Sequence, residues 1–264
     1  MSELQTYVDA WSHSVHAVLG LTDDIAEHEW MLSTDLPGWT VHDVVAHLAH
    51  LEAVLAGQTP DLEMATTALG VENSYTEGGV QERRTRSTSD IVAELRAGVA
   101  TREALLTELP EDPSVPADRT PGSAPWTWET LLRNRAVDVW CHEQDIRRTI
   151  ERPGNLASPG AQVTAHSFAA AMPFVLGKRI APPPGTSVHW HLTGDVPLEI
   201  GATIDDTGRA RPGAGDEPTT TLSMTSEVFC ILVAGRRRPA DVEVEVTGDS
   251  DLGDRVLANM TITT

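Results

Sequence analysis

The sequence predicts an α+β protein of two domains, a helical bundle over residues 1–152 followed by an α+β domain with an antiparallel sheet over residues 153–264. Three observations predict it. At 264 residues the chain exceeds the usual size of one domain and can bury two cores. Up to Arg152 its apolar residues recur at spacings of three and four, the period of helices with one buried face. Beyond Arg152-Pro153-Gly154, short runs alternate apolar and polar residues, the period of strands buried on one side.

Leu4, Val8, Trp11, Val15 and Val18 carry the first helix. The second begins in LPGWTVHDVVAHLAHLEAVLAG. There Thr40 is the N-cap, Asp43 closes a capping box three residues later and Trp39 staples onto Val44, so the helix should run to about Gly57. A long polar interval with Gly78 and Gly79 follows, without a predicted element. STSDIVAELRAGVATREALLTELP predicts a third helix, capped by Ser87 or Ser89 and ended by Pro110. The fourth starts at PWTWETLL, with Thr127 as cap and Trp126 stapled onto Leu131, and continues through RAVDVWCHEQDI. Four such helices suggest a bundle.

In the second part SPGAQVTAHSFAAAMPFVLGKRI predicts a further helix, interrupted at Pro173. SVHWHLTG, PLEIGATID, TTTLSM and DVEVEVTG read as strands. SEVFCILVAGRRR, with Val228, Ile231 and Leu232 at helical spacing, lies between the last two, and DLGDRVLANM closes the domain as a helix. APPPG and GDEPTTT are loops.

Composition narrows the setting. Nineteen Lys and Arg against 39 Asp and Glu give a net charge of −20, which repels phosphate backbones and acidic membrane surfaces, so neither nucleic acid nor membrane is an expected partner. Cys141 and Cys230 stand far apart, as suits a reducing compartment better than a disulfide-built scaffold. The opening MSELQTYVDAWSHSV lacks a basic start followed by an apolar run, and no segment approaches a membrane span. A cytoplasmic protein is expected, as a monomer or weak homodimer.

RAVDVWCHEQDI sets Asp138 four residues before His142 and Asp145 three after it, and at about 100° per residue the three share one helix face. Glu143 and Arg147 form an i,i+4 pair pointing elsewhere and make the better solvent face. That turns the Asp/His/Asp stripe inward, beside Asn134 and Arg135, where charges must be paired or bound to a metal. On the second helix His47 lies inside the apolar arc of Val44, Leu48, Leu51, Val54 and Leu55, with His50 just outside it and His42 nearly opposite. A core receiving His47 from one helix, and His142 with a carboxylate from another, offers N, N and O donors to a divalent metal and leaves a position open for exchange. The competing reading is a buried histidine satisfied by a nearby carboxylate.

GWTVHDVVAHLA followed much later by RAVDVWCHEQDI resembles the two signature segments of the mycothiol-dependent maleylpyruvate isomerase family. VFCILVAGRRRPADVEVEVTGDSDLGDRVLANM is similar to that family's C-terminal domain, with a Gly-Arg pair after one helix and a Gly-Asp before the last. The resemblance spans essentially the whole chain. It implies a DinB-like metal-binding four-helix bundle and a sterol-carrier-like α+β domain. It further implies a divalent metal, expected to be zinc, held by His47, Asp138 and His142, with mycothiol as thiol cosubstrate. The family's carboxylate is usually Glu, so Asp138 is a departure by one methylene. Asp145 and His50 are expected to support the ligands rather than touch the ion. Arg236, in the pair Gly235-Arg236, is implied as the catalytic cation that meets an anionic part of thiol or substrate, with Arg237 and Arg238 as competing candidates. The bland alternative for all three is a solvated basic turn at a helix end.

Cys141 lies beside His142 but about 100° round the helix, which reads as a small core residue. His189 and His191 share one strand face and read as a polar surface pair, and Trp39, Trp126, Trp128 and Trp140 as core and staples, one of them a possible pocket wall. The expected function is a metal-dependent, thiol-dependent enzyme that transfers a low-molecular-weight thiol to a small electrophile, or uses it to isomerise one. The alternatives are a metal-assisted hydrolase on the same bundle and a binding protein that has lost its metal.

Overall fold

The protein is described here from a computed structural model covering residues 2–59 and 73–263. Part of the polar interval after Gly57 therefore lies outside the described residues. The fold is α+β, with helices in the N-terminal part and a five-stranded sheet in the C-terminal part, and the chain divides into two compact units, Met1–Val163 and Thr164–Thr264. Among the described residues no helix is long and apolar enough to cross a membrane.

In the first unit the helices are α1 (Glu3–Asp24), α2 (Val41–Leu55), α3 (Asn73–Gln81), α4 (Thr88–Leu105) and α5 (Trp128–Thr149). α1 packs on α5, and α2 packs on α3, α4 and α5. The capping signals hold: Thr40 and Asp43 form both halves of a capping box, Ser87 accepts from Asp90 N, and Thr127 accepts from Thr130 N. α4 stops at Leu105, short of the expected end at Pro110.

Two features depart from the sequence pattern. α2 is buried along its whole length, so His42 and His50, placed outside the apolar arc by periodicity, are buried as well. His42 Nε2 lies 3.0 Å from the Arg86 carbonyl. The cause is α3, a helix that the pattern did not predict because Gly78 and Gly79 argued against one. A Cβ at Gly79 would stand 2.2 Å from the His50 ring, so the glycine is what lets α3 lie against α2. The second departure is on α5. Glu143 and Arg147 do pair, with Nε to Oε1 at 2.7 Å, but Glu143 is wholly buried and not on a solvent face. The chain leaving α5 folds back over it, and Asn155 Nδ2 donates to both carboxylate oxygens at 2.7 and 2.8 Å. Burial, the largest influence, raises the Glu143 pKa despite these donors.

α6 (Pro159–Ala170) and a short α7 (Met172–Phe174) are separated just before Pro173, and a π-helical turn over Val175–Ile180 follows. The sheet of the second unit comprises β1 (Ser187–Thr193), β2 (Leu198–Ile204), β3 (Ala210–Pro212), β4 (Thr220–Thr225) and β5 (Glu245–Gly248), in the order β3-β2-β1-β4-β5. Its pairs are antiparallel except β1 with β4, which run parallel. Alternation along a strand fixes which face is buried but not the direction of its neighbour, so the parallel pair was illegible. Val188, Trp190, Leu192, Leu222 and Met224 line the buried face, covered by α8 (Ser226–Val233) and α9 (Ser250–Ala258). On the polar face Glu199 receives both predicted surface histidines, at 2.7 Å from His189 Nε2 and 2.6 Å from His191 Nδ1.

Candidate metal centre

Three side chains from two helices converge in the first unit. His47 comes from the middle of α2, whose register its capping box sets, and Asp138 and His142 come from successive turns of α5. One ligand atom from each can be chosen so that all lie within 4.8 Å of one another, the spacing a metal ion requires. His47 Nε2 is 3.5 Å from Asp138 Oδ2, His142 Nε2 is 3.5 Å from Asp138 Oδ1, and the two imidazole centroids are 4.7 Å apart. His47 and His142 are buried, while Asp138 keeps 31% of its side chain exposed.

His47 is the informative member. Both its ring nitrogens are buried and neither has a hydrogen-bond partner. Leaving buried polar atoms unsatisfied costs about 1–3 kcal/mol, and a cation at Nε2 would relieve it. His142 is oriented instead from behind. Its Nδ1 lies 3.1 Å from Asp145 Oδ2, and Asp145 Oδ1 in turn accepts from Arg148 Nη2 at 2.6 Å, while Arg148 Nε donates to Asp35 at 2.8 Å. A carboxylate on Nδ1 leaves Nε2 as the free donor, as metal-binding histidines require. With two imidazoles and a carboxylate, the residues fit a divalent ion.

The electrostatics sort the three groups. Burial, the largest influence on His47, lowers its pKa and keeps it neutral. For His142 burial also lowers, but Asp138 and Asp145 outweigh it and raise the pKa. Burial would raise Asp138, yet the Arg135 guanidinium and then the two imidazoles hold it well below the usual carboxylate range. Trp39 closes one side, its ring 5.3 Å from that of His47 and 6.1 Å from that of His142, with its indole N–H donated to Glu77 at 2.9 Å.

The remaining expected site residues lie elsewhere. His50 is outside the ligand group and packs against Tyr75, 5.6 Å between rings. Arg236 and Arg237 follow α8 in the second unit, where Arg236 Nη1 donates to the Ala234 carbonyl at 2.8 Å. Cys141 is buried, as a core residue should be. Sequence reasoning missed Glu52, which is fully buried and accepts from Arg135, Arg102 and Trp11. A signal existed: Glu52 is the one acid in the apolar run from Val44 to Leu55.

Residues 11–147 match the family described as the mycothiol maleylpyruvate isomerase N-terminal domain. No curated protein matches the chain. Two solved structures resemble it, one of a mycothiol-dependent maleylpyruvate isomerase and one of a histidine-to-alanine mutant of that enzyme. Each is 16% identical, with a TM-score of 0.57 over 93% of this chain and 91% of the other. At that identity the likeness shows the fold alone.

Proposed function

Because this chain belongs to the mycothiol maleylpyruvate isomerase family, we propose that it is a cytoplasmic, metal-dependent enzyme that uses a low-molecular-weight thiol, mycothiol, on a small electrophile. The observation that carries this reading is His47, a buried imidazole without a hydrogen bond that faces Asp138 and a second, pre-oriented imidazole. His47, Asp138 and His142 would hold a divalent ion, zinc by its donor set, which when bound would supply a Lewis acid that lowers the pKa of a thiol or a water.

The residues around it have separable tasks. Asp145 holds the His142 proton at Nδ1, so that Nε2 offers its lone pair to an ion that displaces the proton there. Trp39 provides an apolar wall beside both imidazoles and excludes water from one side. In S-transfer the thiol loses its proton, its sulfur bonds to an electrophilic carbon as that carbon's π or C–O bond breaks, and the displaced electron pair takes up a proton; in isomerisation the sulfur adds with loss of the π bond, the remaining single bond rotates, and the C–S bond breaks as the π bond re-forms and the thiol is released. S-transfer is the reaction we favour. In this proposal the bundle, residues 1–152, carries the metal, and residues 153–264 carry Arg236 and Arg237 for an anionic part of thiol or substrate.

The test is turnover of an activated alkene or epoxide by zinc-loaded protein with and without mycothiol, in wild type, His47→Ala and Arg236→Ala. The proposal expects turnover only with thiol, loss in His47→Ala, and a raised KM in Arg236→Ala. Equal rates with and without thiol would replace it with a hydrolase, and binding without turnover would replace it with a carrier.

A further inference from the structure

A charged network lies directly behind the proposed ligands and is larger than burying three metal ligands requires. Arg135, 2% exposed, reaches in two directions. Its Nη2 donates to Glu52 Oε1 on α2 at 2.6 Å, and its Nη1 donates to Asp138 Oδ2 one turn along α5 at 2.6 Å. Glu52 accepts from two further donors: Oε1 also takes the Trp11 indole N–H at 3.0 Å, and Oε2 takes Arg102 Nη1 at 3.3 Å. Arg102 sits over the Trp11 ring, 5.1 Å from its centroid. Gly98, one turn before Arg102 on α4, makes room for this, since a Cβ there would stand 3.0 Å from Glu52 backbone and side-chain atoms. Two guanidinium groups thus balance two carboxylates, and four helices contribute to fixing the Arg135 fork.

We propose that Arg135, locked by Glu52, is a positioning residue of the metal centre: it pins Asp138 Oδ2 and so presents Oδ1, on the His142 side, to the ion. The inference rests on the metal reading given above. Asp138 needs such a tether because it is the one half-exposed member of the trio, and an untethered carboxylate there is free to swing toward water. The oxygen distribution fits. Oδ2 has the short charged bond to Arg135 beside its 3.5 Å approach to His47 Nε2, whereas Oδ1 has only the 3.5 Å approach of His142 Nε2 and no charged hydrogen bond. A rigid fork bonded to both carboxylates is something a lysine, with its compact charge, does not reproduce.

The experiment measures zinc affinity by chelator competition, and the visible absorption of the cobalt(II)-substituted protein, in wild type, Arg135→Lys and Arg83→Lys. The last is a control in a pair remote in role, since buried Arg83 bonds Glu94 between α3 and α4. Arg135→Lys is expected to weaken zinc about 10–100-fold, the usual effect of losing a partner behind a ligand, and to alter the cobalt spectrum, while Arg83→Lys changes neither. Equal or tighter zinc binding with an unchanged spectrum in Arg135→Lys overturns the inference and leaves the metal site standing. Equal weakening in both variants overturns it as general softening of the bundle. Wild type that binds neither zinc nor cobalt removes the metal reading itself, and this inference with it. Should Arg135→Lys not fold, Glu52→Asp keeps every charge but withdraws the acceptor by one methylene, and is read in the same way.

Discussion

The interior of the first unit and the interior of the second are built on different principles. Among the described residues the buried polar side chains of Thr164–Thr264 are all hydroxyls: Thr164, Ser187, Thr220 and Ser226. Those of Met1–Val163 include four carboxylates on α2 and α5 (Asp43, Glu52, Glu143 and Asp145), the guanidiniums of Arg83, Arg102 and Arg135, and the imidazoles of His42, His47, His50 and His142. The sheet keeps its ionisable pairs, such as Glu199 with His189 and His191, on the open face. A core of hydroxyls and hydrocarbon needs only packing, whereas buried charge is costly unless every group is paired. In the bundle the buried carboxylates and guanidiniums are paired, whereas both ring nitrogens of His47 are buried without a hydrogen bond beside Asp138 and His142. His47 stands out because it faces a carboxylate and a second imidazole, the donors of a metal site.

The largest expected difference between the two interiors is in stability. Glu52→Gln strips the carboxylate from between Arg102 and Arg135 and should cost about 3–5 kcal/mol in urea unfolding. Ser226→Ala in the second unit, which removes the acceptor of the Val196 N–H, should cost only about 1 kcal/mol. Similar losses in the two variants would erase the contrast.

Next comes metal affinity. Asp138→Asn should weaken zinc about 10–100-fold by removing the charge, while Asp138→Glu should keep it. Unchanged affinity in Asp138→Asn would make the side chain structural and the ligand set wrong.

The two histidines also give the metal-free protein a pH signature. The His47 pKa is lowered and the His142 pKa raised relative to an ordinary value of about 6.5. Below that value the unfolded chain holds more protons than the native one, because native His47 stays neutral, so stability rises with pH. Above it native His142 retains a proton that the unfolded chain has lost, so stability falls through the raised pKa. Each limb is worth at most about 1.4 kcal/mol per pH unit. Urea midpoints between pH 5 and 8 should therefore peak near 6.5, and zinc, which competes with the proton on His142, should remove the falling limb. The smallest effect belongs to the sheet, where Glu199→Gln should change stability by no more than about 1 kcal/mol, since these are exposed pairs.

Much of this contrast was legible in the residues. The capping signals at Thr40, Ser87 and Thr127 set three helices, the alternation around Trp190 and Leu222 set strands, and the stripe of Asp138, His142 and Asp145 pointed at the cluster. What escaped depends on contacts distant in sequence. α3 runs through Gly79, which permits the close approach to His50, and Glu143 is covered by Asn155, neither of which a helical period can report. The role of Glu52 needs three partners from α1, α4 and α5, so its isolation in an apolar run was a mark without a meaning until those helices were placed.

The central claim is that the unsatisfied imidazole of His47 exists to hold a metal together with Asp138 and His142. Calorimetric titration of zinc into metal-free protein tests it most directly, with wild type and His47→Ala side by side. The account predicts one equivalent bound by wild type and none at that site in His47→Ala, with the variant still folded by circular dichroism. No zinc uptake by wild type, or the same uptake by both proteins, would contradict it.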